Sequence, residues 1–127
     1  MIIRSIFAGS LALMTMPTMV SAQMTTLEFQ RRCQFAVDIA AGKQDFAPSE
    51  EAEANMCKLY LMGFLDAWLI KEVEASDTGV KWSMICLRED TTIAQLAAVV
   101  VKFITDNPAQ SNEQLDWIML QGLEASY

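Results

Sequence analysis

From Met56 to Ile70 only Lys58, Gly63 and Asp66 interrupt an otherwise apolar run, and this segment limits the folds open to the chain. Ser49 followed by Glu50 and Glu51 opens it as a helix, with acidic residues near its positive end. A helix apolar around nearly its whole circumference is expected to be buried on most sides. It is shorter than a membrane span and carries two charges, which suits the centre of a soluble bundle or a face covered by a second subunit. Leu65 and Leu69 are the expected core or dimer contacts. Gly63 costs a helix about 1 kcal/mol relative to Ala, so it marks either the close approach of another backbone or a tolerated weakness. Asp66 either meets a buried donor or lies on a narrow exposed stripe.

Three further helices flank this one. Thr25-x-x-Glu28 is a capping box, and Phe29, Cys33, Ala36, Val37 and Ala40 then recur at the spacing of one buried face, with Gly42 as the stop. Lys43 to Pro48 reads as a linker. Thr92-x-x-Gln95 opens another helix with Ile93, Leu96, Ala97, Val100, Phe103 and Ile104 on one face, ended by Asn107-Pro108. Ser111-x-x-Gln114 predicts the last, with Leu115, Ile118, Met119 and Leu123 inward. The fold class is all-α, a small four-helix bundle.

After Glu72 the helical pattern breaks, and Ala75 to Gly79 reads as a turn into an extended loop from Val80 to Cys86. Loops held on a rigid scaffold often carry recognition, so Asp77, Thr78, Lys81 and Trp82 are the candidate partner-binding residues. The other reading of Trp82 and Ile85 is a lid on the core.

Residues 1–22 place Arg4 before an apolar run and end in Val20-Ser21-Ala22, the pattern of a cleaved secretory signal peptide. The mature domain is then 23–127, one small unit in an oxidising compartment, where cysteines are disulfide candidates. Without Arg4 the nine Lys and Arg become eight against sixteen Asp and Glu, a net charge of −8. That excess disfavours nucleic acid and anionic membrane as partners. The chain has no histidine. Ser-His-Asp, Cys-His and His-based metal chemistry are thereby excluded, and Cys33, Cys57 and Cys86 are too widely spaced for a zinc knuckle or a Cys-x-x-Cys redox pair. No cofactor is implied, and the expected activity is binding rather than catalysis.

Two blocks carry a resemblance: Cys57-Lys58-Leu59-Tyr60-Leu61-Met62-Gly63-Phe64-Leu65-Asp66-Ala67, and Cys86 leading to Thr92-Ile93-Ala94-Gln95-Leu96 and Asn107-Pro108. In order and spacing they resemble the Rap/Tai family of periplasmic immunity proteins. The resemblance implies an all-α, secreted, non-enzymatic protein that binds and blocks a peptidoglycan amidase delivered by a type VI secretion system. The chain departs from the family pattern in lacking a proline just after Cys86 and in ending Ala125-Ser126-Tyr127 rather than in Pro-Cys.

One intramolecular disulfide is expected, and three pairings are open. Cys57 with Cys86 is favoured, leaving Cys33 as a buried thiol; Cys33 with Cys57 is the next choice, since both lie on helices that pack together. The leading expectation is a homodimeric immunity protein whose loop from Glu74 to Trp82 occludes an amidase cleft. The alternative, from another class, is an acid-stress periplasmic chaperone resembling HdeA, opened by protonation of its carboxylates.

Overall fold

The computed structural model describes residues 23–79 and 85–127; residues 1–22, expected to be a signal peptide, and the candidate residues Lys81 and Trp82 lie outside the described residues. Four helices, α1 (Thr26–Ala40), α2 (Pro48–Thr78), α3 (Ile93–Asp106) and α4 (Leu115–Glu124), with a 3-10 turn at Pro108–Gln110, make an all-α fold with no strand among the described residues.

In α1 the Thr25 hydroxyl accepts the Glu28 N–H at 3.1 Å. Glu28 turns its own carboxylate to Arg32, one turn on, at 2.6 Å, so only half of the expected capping box forms. At the other end Gly42, at φ +79°, lets its N–H reach the Ile39 carbonyl while the Lys43 N–H reaches that of Asp38, the double closure that a left-handed residue permits. Phe29, Cys33 and Ala36 are buried, as their spacing predicts. The α3 box is complete: Gln95 N–H donates to the Thr92 hydroxyl at 3.2 Å, and the Gln95 side chain accepts the Thr92 N–H at 2.7 Å.

Three local expectations are corrected. The second helix starts at Pro48, one residue before Ser49, with Glu50 accepting the Ala47 N–H at 2.7 Å. It then runs through the expected turn at 75–79 to Thr78 and stops at Gly79, φ +71°. Extending an existing helix by one residue costs little, so Ser76, Asp77 and Thr78 do not break it; the glycine that adopts the left-handed conformation does. Asp77 and Thr78 therefore belong to the last turn of α2 rather than to a loop tip. The last helix begins at Leu115 rather than near Ser111, because Ser111 N–H is bonded to Pro108 and Glu113 N–H to Gln110 in a run of tight turns. The Glu113 carbonyl is fixed by the Thr26 hydroxyl at 3.0 Å.

The core is organised around α1, which packs against both α2 and α3, while α4 is carried by α3. Gly122 allows that last contact: a Cβ there would lie 3.2 Å from the Phe103 side chain. Arg32, mostly buried, links α1 to α2 through Glu53 at 2.8 Å. Neither atom of that contact has an aligned hydrogen bond, so the pair holds by charge.

The disulfide joins Cys33 to Cys57, both fully buried, with their Cα atoms 5.0 Å apart; Cys86 is a free, exposed thiol. The expected Cys57–Cys86 bridge is thus corrected, and the length of α2 is the reason. From Cys57 to Thr78 the helix advances about 32 Å. The eight residues from Thr78 to Cys86 span at most about 28 Å when fully extended, which leaves almost no slack for a return.

Thiol titration of the folded, oxidised protein should find one reactive group, Cys86, without denaturant, and Cys86→Ser should abolish it. Cys33→Ser with Cys57→Ser should lower stability by about 3.5 kcal/mol, the chain-entropy value for a loop of this length, measured by urea unfolding.

Candidate partner interface

The 31 residues of α2 extend about 46 Å, whereas the 15 residues of α1 cover only about 22 Å. Among the residues of α2 whose burial is described, Ala54, Cys57 and Leu61 are buried, one stripe at three- and four-residue spacing. The expectation of burial on most sides is corrected: Leu59 and Ile70 are each 62% exposed and Leu69 58%. Among the described residues nothing covers these large apolar side chains.

They fall on two flanks of α2. On one, Leu59, Gly63, Phe64 and Trp68 face Trp117 and Leu120 of α4 across an open cleft of about 730 Å³. Phe64 and Trp68 stack with ring centroids 6.5 Å apart. On the other flank Met62, Leu65, Asp66 and Leu69 meet Ile85, Leu87 and Ile93 around a depression of about 450 Å³. Of the predicted dimer or core residues, Leu65 and Leu69 share this second flank, while Gly63 lines the first. No other atom lies within 4 Å of where a Gly63 Cβ would stand, so no close approach within the chain requires a glycine there. Asp66 lies on an exposed position.

Tyr60 sets the boundary of the α2–α4 cleft. Its ring meets Phe29 of the core edge-on, centroids 5.9 Å apart, and its hydroxyl donates to Asp116 at 3.1 Å. Beyond this pair the surface turns polar, into a second cleft of about 380 Å³ whose lining includes Tyr60, Glu113, Gln114 and Asp116. Burial, then the Asp116 charge, then the hydrogen bond push the Tyr60 phenol up to about 12. The hydroxyl therefore stays a donor. Among the described residues no three His, Cys, Asp or Glu side chains come together as a metal site, and no helix is long and apolar enough to cross a membrane.

A sequence model of the Rap1a immunity proteins matches residues 25–127. The chain belongs to the Rap1a immunity protein family. Membership agrees with the Rap/Tai resemblance and makes a protein effector the ligand class of this Rap1a-family chain. No curated protein and no solved structure matched.

Sequence reasoning did not place Tyr60, Phe64, Asp116, Trp117 and Leu120 together as the lining of one cleft in this Rap1a-family chain. Trp117 had the clearest signal: the inward face of α4 is taken by Leu115, Ile118, Met119 and Leu123, so a tryptophan outside it is exposed, here by 55%.

Two measurements test this geometry. Gly63→Ala should raise stability by about 0.5–1 kcal/mol through helix propensity, since nothing in the chain opposes the methyl group. An ultraviolet titration should show a tyrosine component near pH 12 that disappears in Tyr60→Phe. With the folded value above the ordinary one of about 10, the stability Tyr60 contributes is complete below pH 10 and is lost as pH rises through about 12.

Proposed function

We propose that this protein is a periplasmic immunity protein that binds a secreted peptidoglycan amidase and occludes its cleft, acting as a homodimer. The observation that carries this reading is the uncovered apolar length of α2 in a chain of the Rap1a immunity family. A signal-peptide pattern at residues 1–22 supports export, and the absence of histidine supports binding over catalysis.

The second-copy contact is proposed on the flank of Leu65 and Leu69, where exposed Leu69 and Leu87 leave apolar surface for a two-fold partner. The amidase contact is proposed to include the far end of α2. Thr78 stands about 25 Å along the helix beyond the fully buried Leu61, which suits insertion into a cleft. Asp77 and Thr78, with Lys81 and Trp82 following them in sequence, are the residues proposed to enter.

Sedimentation should give a dimer for the wild type and a folded monomer for Leu69→Asp, because Leu69 is exposed in the single chain and its loss leaves the core intact. At neutral pH the wild type should inhibit its cognate amidase stoichiometrically, and Asp77→Lys should raise the dissociation rate with an unchanged helical signal. Protein that inhibits no amidase but keeps acid-denatured clients soluble would replace this reading with the chaperone one.

A further inference from the structure

We infer that a second copy of this chain docks on the outward ridge of α2, antiparallel and two-fold, with the two helices crossing at Gly63. This deepens the homodimer reading and rests on it. With buried Leu61 marking the inward direction, Leu59, Gly63 and Ile70 point outward to within about 20° and Met56 to within about 40°. Met56, Leu59 and Ile70 are 48%, 62% and 62% exposed. Between them Gly63 leaves a gap in the apolar ridge, with nothing else of the chain within 4 Å of where its Cβ would stand, so another backbone can approach there. The ridge is continuous, through Met62 and Asp66, with the flank of Leu65 and Leu69.

The order of residues along the ridge fits a two-fold partner. Met56 and Ile70 stand seven positions either side of Gly63, and Leu59 and Ala67 stand four. In an antiparallel pair centred on Gly63, Met56 meets Ile70 of the second copy and Leu59 meets Ala67 of the second copy, each contact being made twice. The residue on the axis meets itself, so its size counts twice at the closest point, and glycine there lets the helices come nearest.

Charge sets the direction of the pair. Within two turns either side of Gly63, Lys58 and Asp66 are the only charged residues of α2, and neither has an ion-pair partner among the described residues. They stand about 12 Å apart along the helix and do not pair within one chain. Parallel pairing would set Lys58 against Lys58 and Asp66 against Asp66. The antiparallel register brings Lys58 within about 3 Å, along the axis, of the point opposite Asp66 of the second copy, and on the same edge of the ridge. The aliphatic stem of Lys58 carries its charge across the remaining gap, and symmetry makes the pair twice. On the other edge Lys71 comes within two positions of the point opposite Glu53 of the second copy. An antiparallel register centred on Asp66 would instead bring two carboxylates face to face.

The test is cross-linking in a Cys86→Ser background that keeps the Cys33–Cys57 bridge. Gly63→Cys should join two chains when treated with oxidised glutathione, because the axis brings that position against itself within disulfide range. Ile70→Cys alone should not, since its two copies stand about 21 Å apart, whereas Ile70→Cys combined with Met56→Cys should. By sedimentation, Gly63→Leu should weaken the dimer at least about tenfold with an undiminished helical signal, the reverse of what added apolar surface does at a contact with room for it. Asp66→Lys should weaken it about tenfold, and Lys58→Asp added to Asp66→Lys should restore most of the loss. Cross-linking by Ile70→Cys alone, a dimer undisturbed by Gly63→Leu, or a charge exchange without rescue overturns the inference. If Leu69→Asp still dissociates that dimer, the homodimer reading stands in another register. A wild type that stays monomeric at high concentration overturns both, and loss of amidase binding by its Gly63→Leu variant would assign the ridge to the effector.

Discussion

A helix can be covered only as far as its neighbours reach, and α2 is about twice as long as α1, the element it packs against most. Everything else in the molecule follows from where that overlap lies. The Cys33–Cys57 bridge and the Arg32–Glu53 contact both fall in the first half of α2. They fix its direction where the core is, and the second half runs on past the end of α1 as one continuous helix. A flexible loop presenting the same side chains would lose ordering entropy on binding; a continuous helix has already met that cost when it folds.

The parts legible in the sequence were those decided within one turn of backbone. Thr25, Gly42 and the Thr92–Gln95 pair mark helix ends through bonds to residues two to four positions away, and the buried faces of α1 and α3 follow from periodicity. Misreadings arose where a local signal competed with a longer-range one. Ser76-Asp77-Thr78 has turn composition, but an established helix propagated through it to Gly79. Ser111 has the chemistry of a cap, but the turns after Pro108 had already engaged its backbone. The bridge was misassigned for the first of these reasons: ending α2 early brings Cys86 within reach of Cys57, and extending it to Thr78 removes that reach.

The interface was harder to read because hydrophobicity alone does not say which side of a helix is covered. Leu61 and Leu59 are the same residue type two positions apart, and one is fully buried while the other is mostly exposed. That difference depends on where α1 and α4 lie across α2, a tertiary fact that no window of sequence contains. Polar partners helped no more. Tyr60 and Asp116 are separated by 56 positions, and their pairing emerges only when α4 has docked on α3 through Gly122.

The two flanks of α2 have different consequences for specificity. Successive helical residues turn by about 100°, so Leu65 and Ala67 face nearly opposite directions, while Trp68 between them lines both depressions. The Leu65 flank is almost wholly apolar, with Asp66 its one charged residue. Surface of that kind favours association without strongly discriminating among apolar partners, which suits a contact repeated by symmetry between identical chains. The α2–α4 cleft is lined by charges of both signs, Lys71 and Asp116, beside a more extensive apolar wall. A partner that leaves such charges unmatched strips their hydration with no return, and that unfavourable term, rather than additional buried area, is how a lining of this kind discriminates among apolar partners.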